Sequence, residues 1–220
     1  MFVEPIYDRE QVADDEREMF DRVVARQNSL VWHDRPPEEA VGPYYGLLMH
    51  SPRIADLLSA LAIFFRTRGE TVGSFSHADR EWVDIVLGKE LGSNSVVRAH
   101  TPDAIAVGVR PEAIRAVWTG REDELTARER ELAAFIRATI HGRVTPHQFA
   151  SVEALLGRRG AVEYAACITW LVMTTRNLQA LGFPDPTDHE VSDLVERAVA
   201  GTAEIPDPRQ RVPALEATAI

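Results

Sequence analysis

The chain has 220 residues, 45% hydrophobic and 26% charged, enough for one sizeable globular domain or two small ones. A formal net charge of −10 with no basic run argues against a nucleic-acid partner held through phosphates. A single cysteine, Cys167, excludes an intrachain disulfide framework, a Cys-rich zinc site and a CxxC pair, and points to a reducing compartment, the cytoplasm by default.

The N-terminus, MFVEPIYDRE, has neither a basic start nor an apolar core, so no signal peptide is expected. Residues 14–28 carry Met19, Phe20, Val23 and Val24 at helical spacing and predict an amphipathic helix. Residues 32–42, with Pro36-Pro37, read as a loop. Gly42-Pro43 opens the short run YYGLLMH. Ser51-Pro52 starts a helix that should reach Arg68 before Gly69, with Ile54, Leu57, Leu58, Leu61, Ala62 and Phe65 as its apolar stripe. This run contains Asp56 and Ser59 and is too short to span a bilayer, so no membrane partner is expected.

Ser76 to Asp79 resembles a capping box for a helix ending near Gly92. Lys89, the only lysine, stands beside Glu90 late on that helix and reads as a solvated side chain rather than a Schiff-base nucleophile. A helix over 93–107 follows. Pro102 inside it removes one backbone donor, which predicts a kink or a broken first turn. Arg110-Pro111 starts a short helix ending near Gly120. Thr126 with Glu129, and Thr145 with Gln148, cap helices running to about His141 and Leu156. Residues 161–181 form a long apolar helix, expected to be buried on most sides by its own fold or by a partner subunit. A short helix over 191–199 and a tail over 201–220 complete the reading. No strand-like alternation, GxGxxG or phosphate-binding loop is present.

The stretch from Arg80 to Gly108 holds the best candidates for chemistry. Glu81 opens one helix and His100 lies on the next, across a Gly-Ser-Asn turn. An imidazole titrates near neutrality and moves a proton either way. The pair can equally be a buried His–Glu bond that only joins two helices. Arg98 and Asn94 flank His100. Arg98 suits a substrate carboxylate or a surface ion pair. The other histidines, among them His77 and His141, show no metal spacing, so no metal is expected and surface roles are the better reading. Glu163, on the long apolar helix, needs a partner if buried, with Arg137 as one guess.

Arg80-Glu81, Gly92, His100, Ala104 and Gly108 together resemble the motif of the carboxymuconolactone decarboxylase superfamily, which includes the alkylhydroperoxidase D-like proteins. The resemblance covers roughly residues 40–185. It implies an all-α fold, an alkylhydroperoxidase D-like helical bundle, with an N-terminal helical extension over 1–40, the main domain over 41–186, and a short helix and tail over 187–220. It also implies a homo-oligomer (dimer, trimer or hexamer) and a carboxylate at Glu81 facing the pocket of His100. Tyr44 and Tyr45 fall in the segment that packs over the active-site opening in that family, which makes them candidates for binding substrate, beside Arg98 and Asn94.

The chain departs from the family where its peroxidases carry CxxC: those positions are Ser93 and Val96, and neither forms a thiolate. The glutamate that many decarboxylase-like members have at the position of Val96 is also absent. The leading expectation is a cofactor-independent acid/base enzyme acting on a small carboxylate- or carbonyl-bearing metabolite by decarboxylation, isomerisation or lactone chemistry. His100 would be the general acid/base and Glu81 its partner. The alternatives are hydroperoxide reduction, opposed by the missing CxxC, and a non-catalytic ligand- or partner-binding helical oligomer.

Overall fold

The computed structural model describes residues 1–29, 41–68 and 73–207. Among these the chain is all-α, with nine helices, three short 3-10 turns and no strand. No helix among them is long and apolar enough to cross a membrane. Pro36-Pro37, Gly69 and the end of the expected tail lie outside the described residues.

One compact unit contains α1 (Arg17–Ser29), α2 (Pro43–Leu48) and α3 (Pro52–Arg68), together with Ala180–Phe183. The helix expected from Asp14 starts as a 3-10 turn, Asp14–Glu16, before passing into α1. The stripe expected on α3 is rotated. Ala55, Ser59, Ala62 and Phe65 are buried, while Ile54, Leu57 and Leu61 are exposed. Asp56 accounts for the rotation. It accepts from Arg22 Nη2 at 2.7 Å and from Arg26, and Ser59 Oγ accepts from Arg26 at 2.9 Å. These bonds turn the polar positions of α3 toward α1, so the apolar count alone misassigns the inward face.

The second unit contains α4 (His77–Glu90), α5 (Asn94–Ala106), α6 (Pro111–Thr119), α7 (Ala127–Ile140), nearly all of α8 (Pro146–Ala180), and α9 (Asp188–Val199). Its helix starts are chemically marked. Ser76 Oγ accepts from the Asp79 amide at 3.1 Å, and Asp79 accepts from the Ser76 amide at 3.0 Å. Thr126 and Glu129 form the same reciprocal box, as do Thr187 and Glu190, a pair not singled out in the sequence.

α4 is the central element and packs against α5, α6 and α7. Every residue from Asp79 through Gly88 is buried. Gly88 sets the closeness of α4 to α5, since a Cβ there would lie 2.7 Å from Val97 Cγ2 and 3.2 Å from the Val97 amide nitrogen. α5 runs without interruption through Pro102, contrary to the expected break. The orphaned carbonyl belongs to Arg98, an exposed residue, where water can satisfy it.

α8 contains the expected division into two helices. Gly157 there has φ +72° and ψ 164°, a conformation essentially confined to glycine. Within the single chain the later part of α8 is buried along one face, which leaves burial by a partner subunit untested. Gly160, Ala161, Tyr164, Cys167, Ile168, Leu171 and Thr175 are buried, while Val162, Ala166, Thr169 and Met173 line an exposed face. The apolarity of this helix therefore exceeds what burial within one chain uses.

Candidate acid-base site

Since α4 is enclosed along ten consecutive residues, any charge on it must find a partner inside the protein. Three charged side chains lie together there: Arg80, Glu81 and Asp84. Arg80 is 2% exposed. Its Nη2 donates to Glu81 Oε1, and its Nη1 donates to Asp84 Oδ2 at 3.2 Å. The second contact joins residues one helical turn apart, the spacing at which side chains on one face meet.

His100 reaches this cluster from α5. Its Nδ1 lies 2.8 Å from Glu81 Oε2 and 3.4 Å from Asp84 Oδ2. Glu81 thus holds Arg80 with one oxygen and His100 with the other. The imidazole is 19% exposed while both carboxylates are at or below 5%. Among the described residues, Nε2 of His100 makes no hydrogen bond, and it lies on the part of the ring away from Nδ1 and the two carboxylates.

Burial alone would lower the imidazole pKa. The carboxylates of Asp84 and Glu81, with the hydrogen bond from Glu81, outweigh that effect and the opposing charge of Arg80, and the net shift is upward. Burial likewise works against the Arg80 cation, and Glu81 and Asp84 reverse it, so Arg80 stays charged.

Glu81, Asp84 and His100 each offer one atom within 4.8 Å of the others, close enough to share a metal ion. That trio is already balanced from within. Arg80 supplies one positive charge, and His100 supplies another when both of its ring nitrogens are protonated, with the Nδ1 proton directed at the carboxylates. A cation would have to displace that proton and compete with the guanidinium. The arrangement is better suited to holding and moving a proton than to coordinating a metal.

The other residues expected at the site make the following contacts. Arg98 is more than half exposed and lies 3.8 Å from Glu190 of α9. Asn94 donates to the Pro186 carbonyl at 2.9 Å and to Asp188 Oδ1 at 2.7 Å, fastening α5 to the start of α9. Tyr44 and Tyr45 belong to the first unit, where their rings meet edge to face at 5.2 Å. Tyr45 is buried, and burial raises its hydroxyl pKa well above the ordinary tyrosine value.

Four other expectations are settled by position. His77 is buried at the start of α4, not on the surface, because the capping turn carries it into the core. His141 is exposed and lies 2.8 Å from Glu90. Glu163 pairs with Ser74 Oγ at 2.6 Å and Arg159 at 2.8 Å, not with Arg137, which bridges Glu90 and Glu122. Lys89 is exposed with its ammonium 4.1 Å from the Trp118 ring centroid.

Asp84 is the site residue that sequence reasoning missed. The signal was present: a lone carboxylate inside the apolar run WVDIVLG, three residues after Glu81 and four after Arg80. No protein-family model matches the chain, and no curated protein or solved structure matches it.

Proposed function

We propose that the protein is a cofactor-independent acid/base enzyme of the carboxymuconolactone decarboxylase-like class, on an alkylhydroperoxidase D-like helical fold. His100 exchanges a proton with a small carboxylate- or carbonyl-bearing substrate, and Glu81 orients the ring. The observation that carries this reading is the 2.8 Å contact between His100 Nδ1 and Glu81 Oε2, with the opposite ring nitrogen turned away from the carboxylates. An imidazole anchored at one nitrogen, with the other turned away from its anchors, has the geometry of a general acid/base. The sequence resemblance over residues 40–185 supports the class, and with it a cytoplasmic homo-oligomer.

Turnover of a panel of muconolactone-like lactones and β-keto acids tests the proposal. His100→Ala is expected to reduce the rate on the true substrate class by about 10²–10⁴-fold. Equal turnover by wild type and variant would remove His100 from the mechanism. A thiol peroxidase reading finds no support, because Cys167 is buried and is the only cysteine. A non-catalytic reading has one specific observation in its favour: the ion cluster ties α4 to α5 whether or not chemistry occurs. A folded His100→Ala protein with reduced stability and no lost activity on any substrate would select it.

A further inference from the structure

We infer that Asp84, braced by Arg80, is a second positioning residue of this site: with Glu81 it grips Nδ1 of His100, so that the ring presents Nε2–H to an oxygen that carries or gathers negative charge. This rests on the acid/base reading above and adds to it the direction of the first proton movement and the class of atom that receives it.

The argument starts from the arrangement of the four groups. Both carboxylates approach the same ring nitrogen, at 2.8 Å from Glu81 and 3.4 Å from Asp84. The Arg80 guanidinium on both groups favours their ionised, acceptor-only form, so Nδ1 is the donor. The Arg80 guanidinium also holds both carboxylates, Glu81 through Oε1, the oxygen that His100 does not use, and Asp84 through Oδ2, the same oxygen that faces His100. Arg80 cannot turn away to water, because it is itself 2% exposed. The acceptors therefore hold their places, and a flip of the ring that put Nε2 inward would aim a carbon at both of them.

Charge leads to the same conclusion. Taken by themselves, Glu81, Asp84 and the Arg80 guanidinium sum to one negative charge, which favours the protonated form of the ring beside them. The other titratable groups around the cluster are Asp103 from α5, and Cys167 and Tyr164 from α8. Asp103 adds to the negative side. Tyr164 is held neutral, since burial raises its pKa well above the ordinary value. The upward shift of His100 agrees with this balance.

A ring that begins as an imidazolium begins as an acid. It donates from Nε2 to a carboxylate or carbonyl oxygen, and the electron pair of the N–H bond stays on the imidazole as the proton leaves. Glu81 and Asp84 keep Nδ1 protonated, so the product is the neutral Nδ1–H tautomer, which can later take a proton back at Nε2.

The experiment is ¹⁵N NMR of the histidine ring nitrogens across pH, on the full chain, with the His100 signals assigned by their loss in His100→Gln. In wild type, the titration midpoint of His100 should lie above that of an ordinary imidazole, with both ring nitrogens protonated below it. Above the midpoint, Nδ1 should keep its proton. Asp84→Asn should lower the midpoint by about one unit or more, while Glu81 keeps the same tautomer. A wild-type midpoint at or below the ordinary value, or a bare Nδ1 in the neutral ring, overturns the inference even if Asp84→Asn does not fold. An unchanged midpoint in folded Asp84→Asn also overturns it. The measurement needs no substrate, so its failure is separate from failure of the turnover panel.

Discussion

Arg80 and Asp84 meet one turn apart on α4, Nη1 to Oδ2 at 3.2 Å, with both side chains 2% exposed. Removing Asp84 takes one of two carboxylates from the buried Arg80 guanidinium and one from the His100 imidazole. Asp84→Ala is therefore expected to cost about 3–5 kcal/mol, and Asp84→Asn less, because the amide oxygen still accepts from Arg80. Urea unfolding checks this: the midpoint should fall while the slope stays that of wild type. A loss below 1 kcal/mol (roughly the worth of an exposed pair) would mean that Arg80 is not held by Asp84.

The His100 imidazole gives stability a definite dependence on pH. Its folded pKa is raised above the ordinary 6.5, chiefly by Asp84 and Glu81 acting against burial. The folded state thus keeps the proton to higher pH than the unfolded chain does. The contribution is fully present below the unfolded value and is lost as pH rises through the folded one. Wild type should lose stability relative to His100→Gln as pH increases from near 6.5. Denaturation midpoints of both proteins across that window test the sign; a widening advantage for wild type at higher pH would contradict it.

How much of this was legible in advance depends on the kind of signal. Ser76, Thr126 and Thr145 announce helix starts through local chemistry, and local chemistry survives folding. Glu81 and His100 were singled out as a pair, and the structure places them in contact. Asp84 was passed over because its role depends on α4 being enclosed on all sides, which the helical period does not encode. α3 shows the opposite error. Ile54, Leu57 and Leu61 are the apolar choice for an inward face, but the bonds of Asp56 and Ser59 to Arg22 and Arg26 decide the rotation. Arg98 and Asn94 lie near His100 in sequence, yet they serve the contact between α5 and α9.

The charge balance of the cluster yields a prediction about metals. Glu81, Asp84 and His100 approach one another closely enough to bind a cation, but the Arg80 guanidinium already holds both carboxylates and the Nδ1 proton of His100 occupies the ligand position. Dialysis against a chelator, or addition of zinc or manganese, should therefore leave the thermal midpoint unmoved. A ligand that binds only the folded state raises it in proportion to its occupancy. A stabilising shift that disappears in Asp84→Asn would assign the trio to a metal and replace the protonic reading.

Gly157 divides α8 at φ +72° and ψ 164°. A Cβ there would meet nothing within 4 Å, so crowding is not the issue. The constraint lies in the backbone, since this region is open essentially to glycine alone. Gly157→Ala is expected to cost about 1–3 kcal/mol, read from the denaturation midpoint. Wild-type stability in this variant would mean that the break accommodates an L-residue.

Gly88 tests the coupling between packing and the candidate site. Its absent side chain leaves room for Val97, whose Cγ2 and amide nitrogen would lie 2.7 and 3.2 Å from an added Cβ. The methyl can rotate aside, but the backbone nitrogen cannot. Gly88→Ala must therefore push α5 away from α4, at a cost of about 1–3 kcal/mol for overpacking. His100 is carried on the helix that moves, while Arg80, Glu81 and Asp84 stay with α4. The displacement should lengthen the contacts of Nδ1 with both carboxylates and lower the titration midpoint of His100. The ring-nitrogen signals of His100 in Gly88→Ala measure this directly. Reduced stability with an unshifted His100 midpoint would show that α5 yields elsewhere, and that the four charged groups hold their geometry independently of the packing at Gly88.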